Sequence, residues 1–523
     1  MSCQENRDIA ATFNLFKASI WQNICAMKRF FVLMSLAMTL VLMSSCSKEL
    51  GLGGIFDSSA GPDAMEVPPE TEGGDKYEEY ADNPFIKTAD QNKSTFSVDA
   101  DGASYANMRR YIMSGALPPI PSVRIEEFLN YFTFDYKNPT DGNKVALNAE
   151  SSVCPWNKEH RLIRLGLKGQ SIAESAMPEA NFVFLIDVSG SMNSNDKLPL
   201  LKSGLKTLVD QLKPTDRISI VTYSGKVKRI LESTLVSDAS KIKSAISSLT
   251  ASGSTAGGAA MKMAYEEALA NYIDGGNNRV IMGTDGDFNV GVTSTDDLVE
   301  MVQDYAEKGI YLTICGFGRG NLNDSMMESI SNHGNGTYEY IATEDDMTKV
   351  FVNERSEFLA VANDTKIQIT FDKDRIESYR LIGYENRVLS NEDFENDAKD
   401  AGEIGAGQTI TALYEVVPLE KGSADEGVLA VFDVRYKKAL GEESVALSLD
   451  VLPTDASALS SEFSFAAGVA AYGMLLRESP YKGEATYVMA RELAEEGLEF
   501  DQYGYRADFV DVIKAAETIA SKY

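Results

Sequence analysis

The sequence predicts an α/β protein centred on a doubly wound, parallel-rich sheet, flanked by a β-rich, sandwich-like body and by small helical modules. Three observations carry this. Between Asn181 and about Leu359, short apolar runs (FVFLID, ISIVTY, RVIMGT, IYLTICGFG) alternate with amphipathic helical stretches, the pattern of parallel strands joined by crossover helices. On either side, at 144–168 and 365–452, apolar and polar residues alternate, as in VALNAES, RLIRLGLKG, KIQITFD and VLAVFDVRY, the period of strands with one buried face. The chain then closes in helical spacing, with Phe465, Val469, Tyr472 and Leu476 followed by VMARELAEEGLEF and DFVDVIKAAETIA.

Bulk properties bound the function. At 523 residues the chain exceeds the size at which one core keeps growing, and 44% apolar content suffices for several packed domains. A formal charge of −29, with no Lys/Arg cluster beyond the N-terminus to offset it, repels phosphate backbones, so nucleic acid is not an expected partner. The five cysteines (Cys3, Cys25, Cys46, Cys154 and Cys315) form no C-x-x-C pair, and two histidines cannot build a histidine-rich metal centre. Cys315 sits in the apolar run YLTIC and reads as a buried small hydrophobe.

In chain order, residues 1–26 precede a complete signal, so translation is expected to begin at Met27. Lys28 and Arg29, the uncharged run from Phe30 to Met43, and Ser44-Ser45-Cys46 make up the three-part pattern of a secretory signal over 27–45. The uncharged run is shorter than the roughly 20 residues that span a bilayer. The pattern resembles a lipoprotein signal, in which the cysteine becomes the lipidated mature N-terminus, although Met43 stands where leucine is commoner. That resemblance implies a lipid anchor on Cys46. Cleavage there would remove Arg7, Lys17, Lys28 and Arg29 against Glu5 and Asp8, taking the charge from −29 to −31. Ser47-Lys48 brings no aspartate after the anchor, which favours the outer membrane under the enteric sorting rule if the organism is Gram-negative.

Residues 46–84, rich in Gly, Pro, Asp and Glu, cannot bury a core and read as a flexible tether. Residues 85–140 read as a small module: extended STFSVD, helical SYANMRRYIMSG, Pro-rich LPPIPS and the apolar-periodic VRIEEFLNYF. Within it, Asp99-Ala100-Asp101-Gly102 begins like a calcium loop, but Ala103 stands where a third ligand is needed and no Glu closes the loop, so a turn is expected. A β segment at 141–176, the α/β domain at 177–360, a β-rich domain at 361–455 and a helical region at 456–523 complete the chain. The glycines between Gly253 and Gly258 lack the lysine of a P-loop, and no fixed-period repeat is present.

The chemistry concentrates in the α/β domain. Its first strand ends in Asp187-Val188-Ser189-Gly190-Ser191, at the carboxyl edge where open α/β sheets bind ligands. Further on, Gly253-Ser254-Thr255 precedes a helix expected near Ala256, and RVIMGT runs into Asp285-Gly286-Asp287. This D-x-S-x-S motif with a later Thr and a later strand-end Asp resembles the metal-ion-dependent adhesion site of von Willebrand factor type A domains. The flanking text, from SVDADGASYANMRRYIMSG through TDGDFNVGV, resembles bacterial lipoproteins that carry such a domain between an N-terminal module and a C-terminal domain. By that resemblance Ser189, Ser191 and Thr255 give hydroxyls to a cation, while Asp187 and Asp285 bind through waters; Asp287 has no assigned role. The expected ion is Mg²⁺, with Mn²⁺ or Ca²⁺ as alternatives, since hard cations take oxygen ligands and Mg²⁺ keeps several waters. An acidic residue of a partner protein would complete its coordination.

Three functions follow: a tethered metal-dependent adhesin or scaffold; a structural envelope-assembly protein in which the metal only stabilises the fold; and a metal-dependent hydrolase with Asp287 as base. Against the last, the crest offers no histidine, and DVSGS lacks the paired glycines of a nucleophile elbow. His333, in turn-rich SNHGNG, and His160, beside a strand start, read as bystanders. The sequence leaves oligomeric state and partner identity open.

Overall fold

The computed structural model describes residues 74–253, 258–286, 295–455 and 458–522. The signal, Cys46, the tether as far as residue 73, Thr255 and Asp287 lie outside the described residues. The central sheet has six strands in the order Thr337–Ile341, Ile310–Phe317, Asn277–Thr284, Ala180–Asp187, Arg217–Ser224 and Lys226–Leu235. All pairings are parallel except the last, an antiparallel hairpin at the edge. The continuous apolar text reflects burial on both faces: Ala180–Asp187 and Asn277–Thr284 are buried along their whole length.

Successive residues of the first strand feed opposite cores. Phe182 and Phe184 meet Leu201, Leu205 and Leu208, the apolar stripe of helix Leu198–Gln211. Val183 and Leu185 face the opposite layer, where Met261, Ala264, Leu298 and Met327 come from helices Gly258–Ala270, Thr295–Ala306 and Asp324–His333. The chain runs outward from Ala180–Asp187 on one side, then crosses back to Asn277–Thr284 and runs outward on the other. These two adjacent strands are the switch point of the sheet, where the loops leaving the carboxyl ends diverge and open a crevice.

Strands before and after this unit build a two-sheet sandwich. One sheet runs Ile86–Lys87, Ile376–Ile382, Thr409–Pro418, Asn157–Gly169, Val145–Cys154; the other runs Val388–Leu389, Lys93–Ser97, Ala360–Phe371, Ala430–Lys437, Val445–Val451. Ile163, Leu165 and Tyr414 of the first share a core with Phe96, Ile367 and Phe432 of the second. Segments 85–140, 141–176 and 361–455 therefore contribute to one shared body: Lys93–Ser97 pairs with Ala360–Phe371, and Asn157–Gly169 pairs with Thr409–Pro418.

Helix Ser461–Leu476 is buried nearly all round rather than along one stripe. It joins Tyr105, Phe128 and Phe132 of the N-terminal module to Phe509 of the last helix, Tyr505–Ala520. Gly468 permits the close approach of helix Tyr487–Glu496, since a Cβ there would lie 2.8 Å from the Ala490 carbonyl oxygen. Arg506 closes this junction with Nη1 and Nη2 at 2.8 and 2.7 Å from the two Glu462 carboxylate oxygens, and Nη2 at 2.9 Å from Thr133 O. Among the described residues no helix is long and apolar enough to cross a membrane.

Candidate metal centre

At the switch point, Ala180–Asp187 hands on to Val188-Ser189-Gly190-Ser191, and Asn277–Thr284 hands on to Asp285. Asp187 and Asp285 are fully buried, Ser189 is buried and Ser191 is exposed, so the site opens outward through its hydroxyl loop. The loop turns because Asp187 Oδ1 accepts the Ser189 N–H at 2.7 Å, the local bond by which aspartate favours turns. Ser189 and Ser191 hydroxyl oxygens lie 2.9 Å apart, and Ser191 also hydrogen-bonds the Asp285 side chain. The next loop is stitched alongside: Gly190 N–H donates to Gly253 O at 3.0 Å and Ser252 N–H to Val188 O at 2.7 Å. The structure thus brings together Asp187, Ser189, Ser191 and Asp285. Gly253 abuts their loop, while Thr255, shortly beyond it in the chain, is outside the described residues.

The two carboxylates differ in character. Burial pushes Asp187 up to about 6, against the hydrogen bonds from Ser189 and Tyr223 and reinforced by the like charge of Asp285. Its Oδ2 is buried and lacks a short, well-aligned donor. For Asp285, burial opposes ionisation, but hydrogen bonds from Lys197, Asn321 and Ser191 outweigh it and hold the carboxyl below its ordinary value. Lys197 Nζ stands 2.9 Å from Asp285 Oδ2 and 3.1 Å from Asn321 Oδ1. Sequence reasoning did not find Lys197 or Asn321, because nothing in a lone lysine before a helix marks it as paired to a distant strand end.

An oxygen-only donor set of two carboxylates and two hydroxyls fits a hard divalent cation. The poorly satisfied Asp187 Oδ2 supplies the structural reason for one, because leaving a buried acceptor wholly without a donor costs about 1–3 kcal/mol. Mg²⁺, Mn²⁺ and Ca²⁺ all satisfy this chemistry.

A second acidic group lies elsewhere. Asp99, Asp101 and Glu328 are buried with carboxylate oxygens within 4.8 Å of one another. Arg387 sits against them, 3.0 Å from Asp99 and 3.4 Å from Glu328, and Asp101 Oδ1 accepts the Tyr338 N–H at 2.8 Å. The expected turn at Asp99–Gly102, where Asp99 Oδ1 accepts the Asp101 N–H at 3.1 Å, thus lies in a buried junction between the N-terminal module and the α/β domain, with a guanidinium as its cation. His333, expected in a turn-rich stretch, instead ends helix Asp324–His333, with Nδ1 2.7 Å from Ser329 O. His160 Nδ1 pairs with Glu415 Oε1 at 2.6 Å. Cys154 and Cys315 are fully buried, and burial pushes both thiols up.

The family model described as von Willebrand factor type A domain matches residues 181–354; one described as von Willebrand factor matches 71–164; and one described as Uncharacterized protein YfbK, C-terminal, matches 356–519. The chain is 39% identical over 468 residues to Uncharacterized protein YfbK of Escherichia coli (strain K12), across 85% of this chain and 81% of that protein. A von Willebrand factor type A structure from Catenulispora acidiphila shares 16% identity over 73% of this chain and 91% of its own, with a TM-score of 0.41. Proximal thread matrix protein 1 from the mussel byssus, solved with a zinc-occupied MIDAS motif, shares 21% identity over 34% of this chain and 45% of its own, with a TM-score of 0.28.

Proposed function

We infer the role of this chain from its family: it belongs with Escherichia coli YfbK, as a von Willebrand factor type A domain carried between two flanking modules. In this reading it is a binding protein, an adhesin or scaffold of the cell envelope. Ser189 and Ser191, with Thr255, offer hydroxyls to Mg²⁺, and Asp187 and Asp285 balance its charge. A bound divalent ion supplies an electrophilic point at the crest that a partner protein's carboxylate can ligate. Cys46 carries the lipid anchor, and the outer membrane is the favoured site in a Gram-negative cell.

The observation that carries this reading is the Asp187 Oδ2 atom, buried and without a short, well-aligned donor, beside the exposed Ser191. Two further features support it. The bonds from Gly190 to Gly253 and from Ser252 to Val188 already hold the crest loops together, which favours a gripping role for the ion over a purely structural one. Both histidines are engaged elsewhere, which favours binding over hydrolysis.

The test is titration of the full chain with Mg²⁺ by calorimetry, followed by capture of partners from envelope extract with Mg²⁺ or EDTA, for wild type and Asp187→Ala. Heat of binding and capture lost together with EDTA and in the variant are the expected result. Absence of Mg²⁺ uptake by the wild type would refute the site, and capture that persists after the metal is gone would move binding to the flanking modules.

A further inference from the structure

We propose that Lys197 is a built-in counter-cation of the crest, a positioning residue that weakens the site's hold on a divalent ion while keeping the loaded site positive; this rests on the reading above. Lysine is usually solvated, and this one stands at the N-terminal boundary of helix Leu198–Gln211, from which its side chain could reach water. Instead the residue is 7% exposed and its ammonium is committed inward, to Asp285 Oδ2 and Asn321 Oδ1.

The fold makes room for this. The backbone passes over the lysine stem at Gly318, where φ is +74° and where a Cβ would overlap Lys197 Cε. Glycine meets both demands at once, a left-handed conformation and a missing side chain. Asn321, on the same loop, supplies the second acceptor for the ammonium.

The electrostatic consequence distinguishes the two carboxylates. Asp187 Oδ2 has no short, well-aligned donor, whereas Asp285 Oδ2 is clamped by a full positive charge and its carboxyl also takes hydrogen bonds from Asn321 and Ser191. Asp187, Asp285 and Lys197 together carry a formal charge of about −1, not −2. A divalent ion held there would leave about +1 to attract a partner carboxylate; without the lysine the site would be neutral when loaded. Charge within a few ångströms in a poorly solvated site is felt strongly, so the same lysine weakens binding of the ion itself. The device trades affinity for the metal against attraction for the acidic partner.

The experiment compares Mg²⁺ and Mn²⁺ binding by the full chain, wild type against Lys197→Gln, by calorimetry, with thermal melts in EDTA to establish that each protein is folded. Lys197→Gln keeps a hydrogen-bonding end but no charge, and on the order of tenfold tighter ion binding is expected. Lys197→Met gives the same readout if the glutamine is not tolerated. Unchanged or weaker affinity in a folded variant overturns the proposal and leaves Lys197 as a structural pin for the Gly318–Asn321 loop. A wild type that takes up neither ion overturns the underlying site as well, which separates the two failures.

Discussion

Consider Asp187→Asn in the cation-free protein. The wild-type carboxyl titrates at about 6 in the folded state against an ordinary 3.8, chiefly because it is buried. That gap corresponds to about 3 kcal/mol, because the folded state prefers the neutral form. With the folded pKa raised, this contribution is fully present below the unfolded value near 4 and is lost as pH rises through about 6. Above pH 6 the wild type therefore carries a buried charge that the amide lacks. Asp187→Asn should be more stable than wild type at pH 8 in EDTA by up to about 3 kcal/mol, and the advantage should vanish by about pH 4. Saturating Mg²⁺ should reverse the order, since a ligand present at about 1,000 times its Kd adds about 4.1 kcal/mol to the form that binds it, more than the roughly 3 kcal/mol advantage of the amide. Urea denaturation at several pH values, with EDTA and with Mg²⁺, reads both effects. Parallel stability–pH curves for the two proteins in EDTA would refute the burial argument, and equal stabilisation of both by Mg²⁺ would refute the site.

Two further outcomes are expected from the junctions around the crest. Arg124→Met removes the buried guanidinium shared by Glu127 and Asp324, the latter at 2.6 Å, and should cost about 3–5 kcal/mol of unfolding free energy, with Glu127→Gln in the same chain recovering part of it. Asp75→Ala deletes the acceptor for the Gly320 and Leu322 N–H groups, at 2.6 and 3.1 Å; hydrogen exchange at 320–323 should accelerate by a factor matching about 1–3 kcal/mol while the central strands are unchanged.

Much of the α/β unit was legible because its signals are local. Strands buried on both faces read as unbroken apolar runs, and FVFLID and RVIMGT coincide with Ala180–Asp187 and Asn277–Thr284. DVSGS announced the crest for a similar reason: a turn after a strand, with its carboxylate and hydroxyls close in sequence, is one short segment. The misreadings were of another kind. Asp99–Gly102 is the expected turn, but its burial against Arg387 was not legible, and SNHGNG read as turn-rich although its first residues complete a helix.

The amino-acid sequence by itself determined the fold class, the order of strands and helices, and which oxygens stand at the end of the first strand, because periodicity and turn chemistry act over a few residues. Only the tertiary structure decided that Asp187 Oδ2 lacks a short donor while Asp285 is clamped by Lys197, which strands before and after the α/β unit pair in the sandwich, and that helix Ser461–Leu476 is enclosed on nearly all sides. These features arise from contacts between residues far apart in the chain, and the charge and burial of a side chain depend on which neighbours the completed packing brings to it.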